Sequence, residues 1–153
     1  MKKQDVERGL RAVRQNLRAV AASMNGGMSF TVPLPPHVGN ARGHWRTQKN
    51  ARDLYWTGLD KRVQAKLIPS PPAVPLNRIK AHATFYLGNL MDDDNCMARC
   101  KHFVDWLRSR GYIANDSRRN IVWAGLPEQI IDRKSQRLVL TVEPVDTVTE
   151  RVA

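Results

Sequence analysis

Asp92, Asp93 and Asp94 follow one another in a chain whose formal net charge is +11, and three consecutive acids in so basic a protein point to a cation among them. A divalent metal is the first candidate. If Leu90 to Asp94 is extended, successive side chains alternate, so that Asp92 and Asp94 project to one side and Asp93 to the other. The two carboxylates then converge at a strand end and offer the oxygen ligands that Mg2+ takes alongside several waters. Asp94 also stands before a helical segment, where unpaired N–H groups and the helix dipole favour an anion. Taken alone, the cluster is explained more plainly as a helix cap with two solvated acids beside it.

Residues further along change that weighting. Helical steps from Asp94 lead to Ala98, Lys101 and Asp105, so Lys101 lies on the face that continues from the acids. A cation there reaches a phosphate held at the cluster; an exposed Lys101–Asp105 pair, worth about a few tenths of a kcal/mol, is the plainer alternative. Asp116 comes after the helix and joins the acids only if the strand that follows it pairs close by, which the sequence leaves open. An EF-hand starting at Asp92 fails, because Met97 and Phe103 stand where Gly and Glu are needed. A zinc site on Cys96, Cys100 and His102 lacks a second pair of ligands and puts both thiols on an apolar face, so the cysteines read as core.

The elements that position these residues follow from periodicity. Val6, Leu10, Val13, Leu17, Val20 and Met24 form one apolar stripe on a helix over residues 4–24, with Arg8, Arg11, Arg14 and Arg18 around it. Gly26-Gly27 reads as a flexible joint, which makes this helix an appendage whose stripe packs on the domain, on a twin in a dimer, or on another protein. Ser29 to Val32 is a short strand stopped by Pro33, Pro35 and Pro36. A loop carrying His37, Arg42, His44, Trp45, Arg46 and Lys49 leads to a second helix from about Asn50 to Leu67, and a proline-rich connector fills residues 68–77. Ile79 to Leu87 alternates as a strand pointing at the acids. A third helix spans Asn95 to Arg110 and ends at Gly111 as a left-handed cap. Ile121 to Ala124 and Arg137 to Val142 are strands joined through a turn near Arg133-Lys134-Ser135. The order predicts an α+β domain with a small mixed sheet and packed helices: residues 1–27 a helical extension, 28–143 the domain, 144–153 a tail.

Composition narrows the partners. The chain has 153 residues, 42% hydrophobic and 25% charged, the profile of one globular domain rather than a disordered segment. Lys and Arg number 25 against 14 Asp and Glu, an excess that favours a polyanion, because each phosphate contact releases a condensed counterion. Nucleic acid is therefore the first expected partner. No run of about 18 apolar residues is present, so a membrane partner is not expected. Two cysteines one helical turn apart fit a reducing cytoplasm.

The series Asp92-x-Asp94-Asn95-x5-Lys101-x3-Asp105-x-Leu107-x3-Gly111-x4-Asp116 resembles the signature of the RusA family of Holliday-junction resolvases, common in phages and prophages. Val32-Pro33-Leu34-Pro35-Pro36 is similar to that family's opening strand and Pro-Pro turn, and Asn40-x-Arg42-x-His44-Trp45-Arg46 to the loop of many phage members. The resemblance covers roughly residues 29–142; residues 1–27 have no counterpart in the compact members. It implies a RusA-like fold, a homodimer, and an endodeoxyribonuclease that resolves branched DNA in recombination and repair, in the cytoplasm of a bacterial or phage-infected cell. Asp92, Asp94 and Asp116 would be the metal carboxylates, Mg2+ the metal with Mn2+ as substitute, and Lys101 the catalytic lysine. Many members carry two acids where this chain has Asn115-Asp116. Arg42, His44, Arg46, Lys49, Arg118 and Arg119 would hold DNA backbone, and Trp45 either stacks on a junction base or anchors its loop. The alternative is a non-catalytic DNA-binding protein with the same fold, its first helix serving a protein partner.

Overall fold

The computed structural model describes residues 2–37 and 45–145. Three helices and five strands follow in the order α1 (Lys3–Met24), β1 (Met28–Val32), α2 (Trp45–Gln64), β2 (Ile79–Leu87), α3 (Asp93–Ser109), β3 (Ile121–Trp123), β4 (Glu128–Ile131) and β5 (Arg137–Pro144). The α+β class expected from the sequence is the one found. The sheet is mixed: β5 lies between β1 and β2 and is antiparallel to both, while β3 and β4 run parallel to β2 along its other edge.

β2 is the central strand because it can be buried on both sides; from Ala81 to Leu87 every residue is buried. On one side Ala81, Ala83 and Phe85 join Phe30, Leu138 and Leu140 in the main core. α3 closes that core with Cys96, Cys100, Phe103, Trp106 and Leu107, all essentially inaccessible. Four aromatic rings meet edge-on or stacked, with Phe30 5.6 Å from Phe103 and 5.4 Å from Tyr112, and Trp106 5.2 Å from Tyr112. α2 leans on α3 through Trp56, whose Nε1 donates to the His102 carbonyl at 2.9 Å, and through Asp60, which accepts from Trp106 Nε1 and from Arg110 Nε, each at 2.9 Å. α3 stops where expected: Gly111 has φ +83 and the Tyr112 N–H returns to the Leu107 carbonyl at 2.9 Å, closing the last turn.

Several expectations need correction. β4 is a strand that the sequence does not announce: it has four residues, follows Pro127 and offers only Ile130-Ile131 as an apolar signal, too little for period-2 reading. β3 pairs with β2 at an offset of 42 residues (Ile79 with Ile121) and β4 at 44 (Thr84 with Glu128), so two residues are inserted in the edge. Gly125, with φ +81, lies in that insertion. α2 begins at Trp45 rather than near Asn50. Gly26-Gly27 is a fixed joint rather than a flexible one. The Gly27 N–H bonds the Ala22 carbonyl at 2.7 Å, and a Cβ on Gly27 would stand 2.0 Å from the Val142 carbonyl oxygen.

α1 is accordingly a third layer on the far side of the sheet, not an appendage. Ala22 is fully buried, Arg18 NH1 bonds Glu128 Oε1 at 2.7 Å, Arg11 NH1 the Gln129 carbonyl at 3.0 Å, and the Tyr86 hydroxyl the Gln15 side chain at 3.3 Å. The expected apolar stripe points away from the sheet.

Candidate functional site

The helix α3 carries an acidic group near each end. At its start Asp92 is the N-cap residue, with extended φ −63 and ψ 146, and its carbonyl accepts from the Cys96 N–H at 3.1 Å. Asp93 and Asp94 occupy the first turn, where their charges complement the helix dipole. The expected alternation across Leu90 to Asp94 therefore ends at Asp92, and the N-cap is Asp92 rather than Asp94: the chain turns helical one residue before Asp94. All three acids are exposed. Gln129 of β4 fixes the approach, since its Nε2 donates to the Met91 carbonyl at 2.7 Å, its Oε1 accepts from the Met91 N–H at 2.9 Å, and Nε2 reaches Asp93 Oδ1 at 3.3 Å. No sequence signal marks Gln129, because the strand that carries it has none of its own.

Toward the other end, Lys101, Asp105 and Asp116 come together beside Arg108. The turn after Gly111 carries Asp116 back against α3. Lys101 Nζ lies 3.5 Å from Asp105 Oδ2 and Arg108 NH1 3.3 Å from Asp116 Oδ1. Burial works against an ionised Asp116, but a hydrogen bond with Asp105, the Arg108 charge, its own backbone N–H and Lys101 together hold its carboxyl below the ordinary range. Asn115 accepts the Asp116 N–H through Oδ1 at 2.8 Å. These groups border a shallow concavity of about 190 Å3 between α3 and β3, floored by Cys100, Val104, Ile121 and Trp123. From sequence Asp105 is only a partner of Lys101; the signal that could have found it is its place one helical turn beyond that lysine.

The expected triad of Asp92, Asp94 and Asp116 is not gathered within the described residues. Asp116 meets Asp105, which follows Asp94 by eleven positions on the same helix, an axial separation of about 16 Å. Among the described residues no three His, Cys, Asp or Glu side chains are grouped so as to hold a metal ion. Each group still offers carboxylate oxygens open to water, the donor type that Mg2+ takes one or two at a time while keeping several waters. The cysteines do not compete as ligands: both are buried, and burial raises the Cys96 thiol to about 11 and Cys100 to about 12.

Of the residues expected to hold DNA, Lys49 is exposed on α2, and Arg118 and Arg119 are exposed in the turn between Asp116 and β3. Arg42 and His44 lie outside the described residues. So do the side chains of Trp45 and Arg46, whose main chain opens α2. Among the described residues no helix is long and apolar enough to cross a membrane. No protein-family model and no curated protein matches the chain.

Proposed function

We propose that this protein is a Mg2+-dependent, structure-selective endodeoxyribonuclease that nicks branched DNA, four-way junctions foremost, and works as a homodimer. The observation that carries this is the meeting of Lys101, Asp105 and Asp116 on one open concavity, with Arg118 and Arg119 exposed just beyond Asp116. Lys101, 64% exposed, is free to turn from Asp105 to a phosphate and offset charge developing on its oxygens. Asp116, held ionised, and Asp105 supply oxygen ligands at one end of α3, and Asp92 and Asp94 supply them at the other. Mg2+ held by such carboxylates would supply water activation and charge neutralisation at the scissile phosphate. Arg118, Arg119 and Lys49 hold the DNA backbone without reading its sequence.

One observation favours a second reading, a non-catalytic DNA-binding protein. Lys101 and Arg108 each already pair with one of these acids, Asp105 and Asp116, an arrangement that stands without a metal.

Incubation of a labelled four-way junction in Mg2+ or in EDTA separates the two. The nuclease nicks only in Mg2+, and Asp116→Asn and Asp94→Asn each slow it by on the order of 100-fold or more. Junction binding with no Mg2+-dependent nicking leaves the binding protein. Loss in Asp116→Asn with full activity in Asp94→Asn confines the chemistry to the Lys101 end. Replacing Arg118 and Arg119 with Ala reduces the salt slope of binding by about 0.9 for each phosphate that is no longer neutralised.

A further inference from the structure

The apolar stripe of α1 is turned to solvent. Val6, Leu10, Val13, Leu17, Val20 and Met24 are 46–81% exposed, although the helix they belong to is packed along a sheet. The face that meets the sheet is made of Ala22 with Arg11, Gln15 and Arg18. A lone exposed leucine needs no explanation, but six large apolar residues spaced 4, 3, 4, 3, 4 form the seam of a coiled coil.

We propose that this stripe is the interface of a homodimer in which α1 packs antiparallel against α1 of a second copy. The inference does not depend on nuclease activity, and residues 1–27 are the part of the chain for which the RusA resemblance implies nothing. The spacing itself describes a helix partner. In heptad terms Leu10, Leu17 and Met24 are at a and Val6, Val13 and Val20 at d, the reverse of the β-branched a and leucine d that favour parallel dimers. An antiparallel pair instead joins each valine to a leucine or methionine: Val6 to Met24, Leu10 to Val20 and Val13 to Leu17 of the other copy, each layer repeated by the two-fold axis. Of the flanking positions Gly9, Asn16, Ala21 and Ser23 are small and uncharged, and only Glu7 and Arg14 carry charge, so the helices can approach closely along most of their length. α1 is about 33 Å long at about 1.5 Å per residue. Covering the stripe on both copies buries on the order of 1,000 Å2, the lower bound for a specific interface.

A membrane surface fits less well. Interfacial helices line their apolar face with cations that reach headgroups, whereas Arg11 and Arg18 are turned to the sheet and engaged with Gln129 and Glu128, and of the positions directly beside the stripe from Glu7 to Ser23 only Arg14 is a cation.

Sedimentation of the full chain at tens of micromolar tests the proposal. Wild type should run at twice 17.4 kDa, and Leu10→Glu/Leu17→Glu at the single mass with unchanged circular dichroism and a cooperative melt, because both sites are exposed in the monomer; its midpoint falls only by the share that dimerisation adds. Wild type at the single mass, or a double variant that remains dimeric while folded, overturns the interface. Monomeric wild type that pellets with anionic phosphatidylserine vesicles overturns it in favour of a membrane. Orientation is read by oxidising a mixture of Val13→Cys and Leu17→Cys proteins, in which the native cysteines are buried. Cross-links between unlike variants are expected, and links only between like variants overturn the antiparallel arrangement.

Discussion

β2 sends Ala81, Ala83 and Phe85 toward α3 and His82, Thr84 and Tyr86 toward α1, and the two helices that meet these faces are built of opposite materials. α3 answers with Phe103, Trp106 and Leu107, each at most 1% exposed, and ring stacking fixes their arrangement. α1 answers with alanine, two arginines and a glutamine that bond polar groups of the sheet, while its own large side chains look outward. Apolar content alone therefore does not say which way a helix faces. A helix that spends small and polar residues on its own domain leaves its hydrophobic stripe available for another chain.

The contrast can be broken from the strong side first. Phe103→Ala should cost about 3–5 kcal/mol in denaturant unfolding, the usual penalty for emptying an aromatic core position; a loss below about 1 kcal/mol would mean that the α3 face is not the principal core. Next comes the joint of α1. Gly27→Ala must displace the Val142 carbonyl and should cost on the order of 1–3 kcal/mol, whereas Gly9→Ala, with nothing within 4 Å of the added carbon, should stabilise by about 0.5–1 kcal/mol. Equal effects at the two glycines would return α1 to the status of a loose extension. Smaller again is Arg18→Ala, which removes a half-exposed pair with Glu128 and should cost no more than about 1 kcal/mol by chemical denaturation. A much larger loss would make the α1 face electrostatically rather than sterically held.

The mildest effect is one of pH. Burial first, then the Arg18 charge, lowers the His82 pKa, with Glu128 acting the other way. His82 is thus neutral in the fold and takes up a proton more readily when unfolded. Its contribution is complete above the unfolded pKa of about 6.5 and is lost as pH falls from there toward the lower folded value. His82→Gln should reduce the fall in melting temperature between pH 8 and pH 5.5; an unchanged fall would assign it to other groups.

Much of the fold is legible in the sequence because period and punctuation agree. β2 emerges at its true bounds, α1 and α3 to within two residues, and Gly111 as a helix stop. β4 is not legible, since a four-residue edge strand after Pro127 has neither length nor alternation to announce it. The facing of α1 is hidden for a different reason: hydrophobic periodicity marks the apolar side of a helix but not whether the same chain or another covers it. The Lys101–Asp105 spacing is visible, but the return of Asp116 to it depends on a turn and a parallel pairing formed by residues far apart in sequence. The clamp of Gln129 on Met91 is beyond reach, because it lies on the strand that leaves no signal.

The split edge beside β2 has a consequence for how copies of this protein can meet. β3 and β4 present three and four residues with a two-residue slip between them, and the opposite edge, β1, is only five residues long before Pro33. Neither border offers the long, flat row of free N–H and C=O groups on which an added strand could zip. The sheet is closed to growth without being a barrel, so association by strand addition is discouraged and any contact between copies falls to the helical surfaces.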